Sequence, residues 1–187
     1  MNDRTSRQES PAMLKSPILG TLFCLLSTCA VMAQDFPKPG PEHKRLAEEL
    51  VGTWDCVMDV GGQKSKCVAT YKSICDGMWL ASEFDGELGG AKFHGHGLDG
   101  YDLHKKKYIG IWVDSWSSSP LRMEGDYEPK TKRLVMTGDS VSMDGKPEKF
   151  KAITETKDKD HFTFKMHMVQ ADGTEQLSFT IEYTRKK

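Results

Sequence analysis

Neither sign of charge is in excess in this chain: 26 basic residues stand against 27 acidic ones in 187, a formal net charge of -1. Nucleic-acid affinity comes from clustered Lys and Arg that neutralise phosphates, so no nucleic-acid partner is expected. The sequence also lacks a phosphate-cradling glycine loop, a Gly-x-Ser-x-Gly elbow and a dinucleotide fingerprint. Ser117-Ser118-Ser119-Pro120 reads as a loop and carries no nucleophile motif. A long apolar run is missing too, apart from Ile18 to Met32, which is short for a membrane span. No connection between strand-like segments has room for a crossover helix, which rules against parallel pairing.

Residues 1–33 read as a signal peptide. Val31-Met32-Ala33 offers a small-residue cleavage site, and Met13 followed by Leu14-Lys15 makes a more usual start than Met1. The expected location is therefore periplasmic or secreted, with no transmembrane span once the signal is removed. Leu26-Ser27-Thr28-Cys29 offers a weaker alternative, a lipid anchor at Cys29. Removal of the leader takes away Cys24 and Cys29 and leaves Cys56, Cys67 and Cys75, an odd number that leaves one thiol unpaired within a monomer.

Residues 34–47 form a linker and the start of a short helix, which runs from Glu42 to Leu50; residues 48–187 make one domain. Period-two alternation predicts strands at 53–60, 64–75, 78–88, 91–102, 107–116, 121–128, 133–141, 148–157, 160–169 and 175–185. Short turns such as Gly61-Gly62, Asp76-Gly77, Gly89-Gly90, Asp144-Gly145 and Asp172-Gly173 join them. About ten antiparallel strands in a meander leave two open edges unless the sheet closes. The expected fold is all-β: a single up-and-down β-barrel behind a short N-terminal helix.

Turn lengths fix the register. A two-residue turn at Gly61-Gly62 sets Cys56 opposite Cys67 and Trp54 opposite Ala69. The face carrying Trp54, Cys56, Met58 and Tyr71 is apolar and points inward, while Asp55, Asp59, Lys66 and Lys72 point out. The next hairpins set Phe84 opposite Gly95, Gly97 opposite Trp112 and Gly95 opposite Asp114. Phe162, Phe164, Met166 and Met168 face in, and so do Leu177, Phe179, Ile181 and Tyr183. Ile109, Ile111 and Val113 fall on the outer face beside Leu98, which calls for a bulge, a covering helix or a partner. Cys56 and Cys67 meet in a hydrogen-bonded pair, where a bridge is strained, so their pairing stays open.

Gly52-Thr53-Trp54 after a short helix, with Arg185 near the end of the last strand, resembles the signature of lipocalin-like (calycin) barrels. That resemblance implies a tryptophan at the barrel floor under a stacked basic side chain. More specifically, residues 48–187 resemble an exported bacterial domain-of-unknown-function family, DUF1579. The matching stretches are Gly52-Thr53-Trp54, Gly77-Met78-Trp79-Leu80, Phe93-His94-Gly95-His96-Gly97, Gly100-Tyr101-Asp102, Trp112-Val113-Asp114-Ser115 and Tyr183-Thr184-Arg185-Lys186. The resemblance implies a lipocalin-like barrel and no established activity. The three mature cysteines and Trp116 lie outside its pattern.

The residues support three functional readings. The first is a barrel binding a small apolar or amphipathic ligand without catalysis or cofactor, lined by Trp112, Asp114, Trp116, Tyr127, Met136 and Phe164. Asp114 sits there between two indoles; it either anchors a polarised ligand or is satisfied by Tyr101, Tyr108 or Ser82. The second is a metal-assisted hydrolase or lyase on His94 and His96, with Glu83 or Asp85 as carboxylate partners, although all four face outward in this register. The third is an interaction module using Ile109, Ile111 and Val113. Haem binding would need an inward histidine, which this register does not supply.

Overall fold

The computed structural model describes residues 36–142 and 144–187; the expected leader and its cysteines lie outside the described residues. Residues 37–187 form one compact unit. Helix α1 (Pro41–Leu50) leads into ten strands: β1 (Gly52–Val60), β2 (Gln63–Ile74), β3 (Trp79–Leu88), β4 (Ala91–Asp102), β5 (Lys107–Asp114), β6 (Leu121–Glu128), β7 (Arg133–Val141), β8 (Pro147–Asp158), β9 (His161–Val169) and β10 (Glu175–Arg185). Each strand pairs antiparallel with its sequence neighbours, and β1 pairs with β10, so the sheet is a closed barrel. The meander arises because every connection is short, six residues at most between Asp114 and Leu121, and closure gives both terminal strands a partner.

Register follows the turns. Gly61 and Gly62 adopt positive φ, and Asp59 Oδ1 accepts the Gly62 N–H at 2.8 Å. This pins Val60 opposite Gln63, Cys56 opposite Cys67 and Trp54 opposite Ala69. The later hairpins place Phe84 opposite Gly95 and Gly97 opposite Trp112. The β4–β5 ladder runs without a bulge, so Ile111 and Val113 do face outward, at 43% and 46% exposure. α1 packs over β2, β3 and β4 and leaves that patch uncovered.

One facing differs from expectation. The β9–β10 register shifts between Leu177 and Phe179, so the bulge turns Leu177 outward, 53% exposed, while Phe179 stays inside. An extra residue in one strand reverses the alternation beyond it. Strand β5 also stops at Asp114, which places Trp116 in the following turn.

The up-and-down path gives the barrel two unlike ends. The β1–β2, β3–β4, β5–β6, β7–β8 and β9–β10 turns gather at one end, the open end in the sense that no helix of the described residues covers it. The opposite end carries α1 and the remaining turns. There Leu46 and Leu50 of α1 join Trp54, Leu80, Phe162 and Tyr183 in the buried core.

Candidate functional site

At the closed end, Trp54 is almost wholly buried and donates its indole N–H to the Leu50 carbonyl at 2.8 Å. The Arg185 guanidinium stacks on it, 4.0 Å from the ring centre. The same guanidinium donates to the carbonyls of Val51 (2.6 Å) and Glu49 (3.1 Å), which terminate α1, and to Lys159 O (2.9 Å). A cation thus caps the negative end of the helix and holds it on the barrel. Gly52 makes this approach possible: its φ is +136°, and a Cβ there would lie 2.6 Å from Arg185 Nη1. A second clasp uses Arg45 of α1. It lies between the rings of Tyr127 (3.7 Å) and Tyr108 (4.7 Å) and pairs with Glu49 at 2.8 Å. Glu49 in turn accepts from Thr156 at 2.9 Å. These interactions close one end of the lumen.

Above this floor lies a polar layer. Asp99 alternates with Gly97 and Gly95 on the inner face of β4, and its carboxylate lies over Gly110, where an added Cβ would sit 2.7 Å from Oδ1. It accepts no hydrogen bond from the described residues, and burial pushes its carboxyl up to about 7. Tyr71 and Tyr183 interact through their hydroxyls close by, and both phenols are raised chiefly by burial. Cys56 and Cys67 are free thiols; burial first, then the neighbouring Cys67, pushes Cys56 up to about 12. Thiols held protonated are poor nucleophiles, so the pair offers no activated sulfur. His43 of α1 borders the same tight crevice as Asp99, which has no room for a water molecule. Its Nδ1 accepts the Gly40 N–H at 3.1 Å, which puts the ring proton on Nε2, and that buried atom has no partner among the described residues.

Towards the open end the lumen becomes aromatic. Trp112 lies flat over Gly95, where a Cβ would sit 2.1 Å from the indole; only glycine leaves room for that ring. Phe84 meets Trp112 and Phe93 edge-on at 6.3 and 5.9 Å, and Phe93 meets Trp116 at 5.1 Å. Asp114 accepts from Trp112 Nε1 (3.0 Å) and from the Trp116 backbone N–H (2.9 Å). Its partners are thus the two tryptophans rather than Tyr101, Tyr108 or Ser82. Trp116 is 47% exposed at the rim and donates to the Lys92 carbonyl. Trp112, Leu121, Met123, Phe150, Phe164, Met168 and Phe179 face inward, yet each remains half-buried.

The six residues singled out as a lining therefore do not form one group. Trp112, Asp114 and Trp116 gather at the mouth, Phe164 lies against Phe179 within the lumen (6.0 Å), Met136 is fully buried mid-barrel, and Tyr127 belongs to the Arg45 clasp at the opposite end. Asp99, His43 and Arg45 are the functional-looking residues that pattern reading passed over. The parity that turns Gly97 inward was the available signal for Asp99.

His94 and His96 lie outside the barrel. His94 Nδ1 pairs with Asp85 in an exposed contact, and Glu83 stands 3.9 Å from Lys72. No three His, Cys, Asp or Glu side chains among the described residues converge as a metal-binding set. Among the described residues no helix is long and apolar enough to cross a membrane. A cavity of about 360 Å³ lies over the outer face of the β1–β10 pair beside the β1–β2 turn.

Fold and interior together define a small antiparallel β-barrel with one plugged end and an aromatic mouth. The chain belongs to the family described as "Protein of unknown function (DUF1579)", which matches residues 38–185. No curated protein matches it. Among solved structures it is similar to a redesigned β-barrel, at 16% identity and a TM-score of 0.42, covering 76% of this chain and 96% of that one. It is likewise similar to a de novo designed fluorescence-activating β-barrel, at 13% identity and a TM-score of 0.41, covering 75% and 97%.

Proposed function

We propose that this protein is an exported carrier that holds one small apolar or amphipathic molecule in the open half of its barrel, without catalysis. One observation carries the reading. At the plugged end Trp54, Leu80, Phe162 and Tyr183 are fully buried, whereas Trp112, Met123, Phe150, Phe164, Met168 and Phe179 keep partial exposure at the other. Exposed apolar surface on an inner wall is what a ligand would cover. Methionines at 123 and 168 add a wall that adapts its shape. The buried, protonated thiols and the self-satisfied Asp114 supply no nucleophile or general base to such a ligand. Export rests on the apolar Ile18 to Met32 run and its small-residue end.

Native mass spectrometry of the mature protein purified from its own host tests this reading. A one-to-one adduct removed by organic solvent is expected, together with a new N-terminus near Gln34. Protein at its bare mass, and indifferent to an added lipophilic dye, would refute the carrier. A second reading rests on the outer Ile111 and Val113 patch, which nothing among the described residues covers. It predicts self-association that Ile111→Lys abolishes; a monomeric wild type at high concentration rules it out.

A further inference from the structure

The polar layer above the plug holds two groups that the fold leaves unanswered. Ser82 on β3 and Asp99 on β4 both face the lumen, since Ser82 pairs with Gly97 and Asp99 alternates with that glycine. Ser82 is 7% exposed, and its Oγ lies over Gly97, in the space that a Cβ there would take. Neither the hydroxyl nor the Asp99 carboxylate has a hydrogen-bond partner among the described residues. The polar side-chain atoms that are both sealed and unpartnered are His43 Nε2, Arg45 Nη2, Thr163 Oγ1 and His167 Nδ1. Ser82 Oγ and the Asp99 oxygens are not among these, so they reach open space on the inner side of the wall. The two residues are diagonal neighbours on adjacent strands, roughly 7–8 Å apart at Cβ. Burial is the sole cause that raises the Asp99 carboxyl, so no cation of the chain answers it. Tyr71 stands beside Asp99, but its hydroxyl is engaged with Tyr183.

The wall above this pair sets the chemistry of what can reach it. Between Asp99 and the open end, the register turns no Lys, Arg or His side chain of the described strands inward. Asp114 and Glu148, near the mouth, are the other charged residues on that face. A carboxylate head drawn down to Asp99 would lose its water and meet no base, which is costly. A hydroxyl or an amine could instead donate to Asp99, and Ser82 Oγ could accept from it or donate to it. Ala91, where β4 starts at the open end, is eight residues from Asp99, about 26 Å of strand at 3.3 Å per residue. At the usual tilt of barrel strands that is roughly 20 Å of depth, which a ten-carbon chain with its head at Asp99 does not exceed.

We infer that Ser82 and Asp99 seat the head of a single-chain amphipath bound head-down in the lumen, that this head donates hydrogen bonds and carries no negative charge, as in a primary amine or an alcohol, and that its tail lies along Trp112, Met123, Phe150 and Phe164. This deepens the carrier reading and rests on it. Asp99 accepts from the head, Ser82 supplies the second bond, and the absence of an inward base disfavours fatty carboxylates.

Isothermal titration calorimetry of the protein at neutral pH tests the assignment with three ten-carbon probes: decylamine, decan-1-ol and decanoate, each kept below the concentration at which it self-associates. Fluorescence of the neutral dye N-phenyl-1-naphthylamine reports the lumen alone. Wild type should bind the amine and the alcohol at least about tenfold tighter than decanoate. Ser82→Ala should weaken both by about fivefold, the worth of one hydrogen bond. Asp99→Asn keeps the shape and removes the negative charge; it should weaken the amine by about tenfold and the alcohol by no more than about threefold. Both variants should keep the dye affinity, which shows that the barrel is folded. Decanoate bound as tightly as the amine and the alcohol, or affinities for all three probes unchanged in both variants, overturns the seat. If the dye binds and no ten-carbon probe does, the seat falls and the lumen carrier stands; if nothing binds, both fall.

Discussion

Replacing Asp99 by asparagine isolates the least ordinary group in the barrel. The aspartate carboxyl rises from 3.8 to about 7 because burial disfavours its charged form. A raised folded-state value means that the folded protein binds this proton more tightly than the unfolded chain does. Its favourable contribution is complete below about pH 4, shrinks as pH rises, and is gone above about pH 7. At about 1.4 kcal/mol per pH unit, the ceiling on that loss is about 4 kcal/mol. Asp99 keeps some exposure, so solvent screening lowers the expected figure to about 2–3 kcal/mol.

Asparagine keeps the shape and removes the titration. Urea midpoints of wild type and Asp99→Asn, taken between pH 4.5 and 8.5, should therefore diverge. Wild type loses stability relative to the variant as pH rises, and the variant is the more stable protein at pH 8. All other carboxylates and histidines are common to both proteins and cancel in the difference. The neighbours facing Asp99 are Tyr71 on β2, whose phenol is raised as well, and His43 beside the same crevice. Two parallel curves would show Asp99 to be hydrated and ordinary, and the account of a dry polar layer would fail.

The other expectations concern the plug and the thiols. Gly52→Ala should cost roughly 2 kcal/mol or more in thermal or urea unfolding, because it combines a φ of +136° with a contact against Arg185; an unchanged midpoint refutes the clasp. Arg185→Ala should destabilise by about 2–3 kcal/mol through loss of the Trp54 stack and of the bonds to the end of α1, with Arg185→Lys recovering only part of it. Among the cysteines at 56, 67 and 75, only exposed Cys75 should react quickly with a disulfide reagent at pH 8, and all three after unfolding; rapid labelling of Cys56 contradicts its burial.

Strand register was legible because two-residue turns leave little freedom. Once Gly61-Gly62 is placed, Cys56 must meet Cys67, and the hairpins that follow carry the inner face forward to Trp112 without a break. Reading failed where alternation is broken without a mark in composition. Gln176-Leu177-Ser178-Phe179 looks regular, yet a bulge is absorbed there, and Leu177 leaves the interior. Trp116 seemed to extend β5 because it lies two residues beyond Asp114. The strand stops once Asp114 accepts the Trp116 N–H and folds the chain into a turn.

Asp99 shows a different limit. Its facing was available from parity, but its significance was not, since a carboxylate between Leu98 and Gly100 looks like any outer-face acid until its cross-strand neighbour proves to be Gly110. The same holds for Arg45, whose charge suggests solvent and whose guanidinium instead lies between two tyrosine rings of β5 and β6. Both residues sit where the helix closes the barrel, and both owe their surroundings to packing between elements distant in sequence. Alternation within a strand cannot carry that information. It follows that the plugged end is the structural end, held by Arg45, Arg185 and Trp54, and that a ligand site is more economically sought where such clasps are absent. The mouth around Trp112, whose indole lies over Gly95, meets that condition.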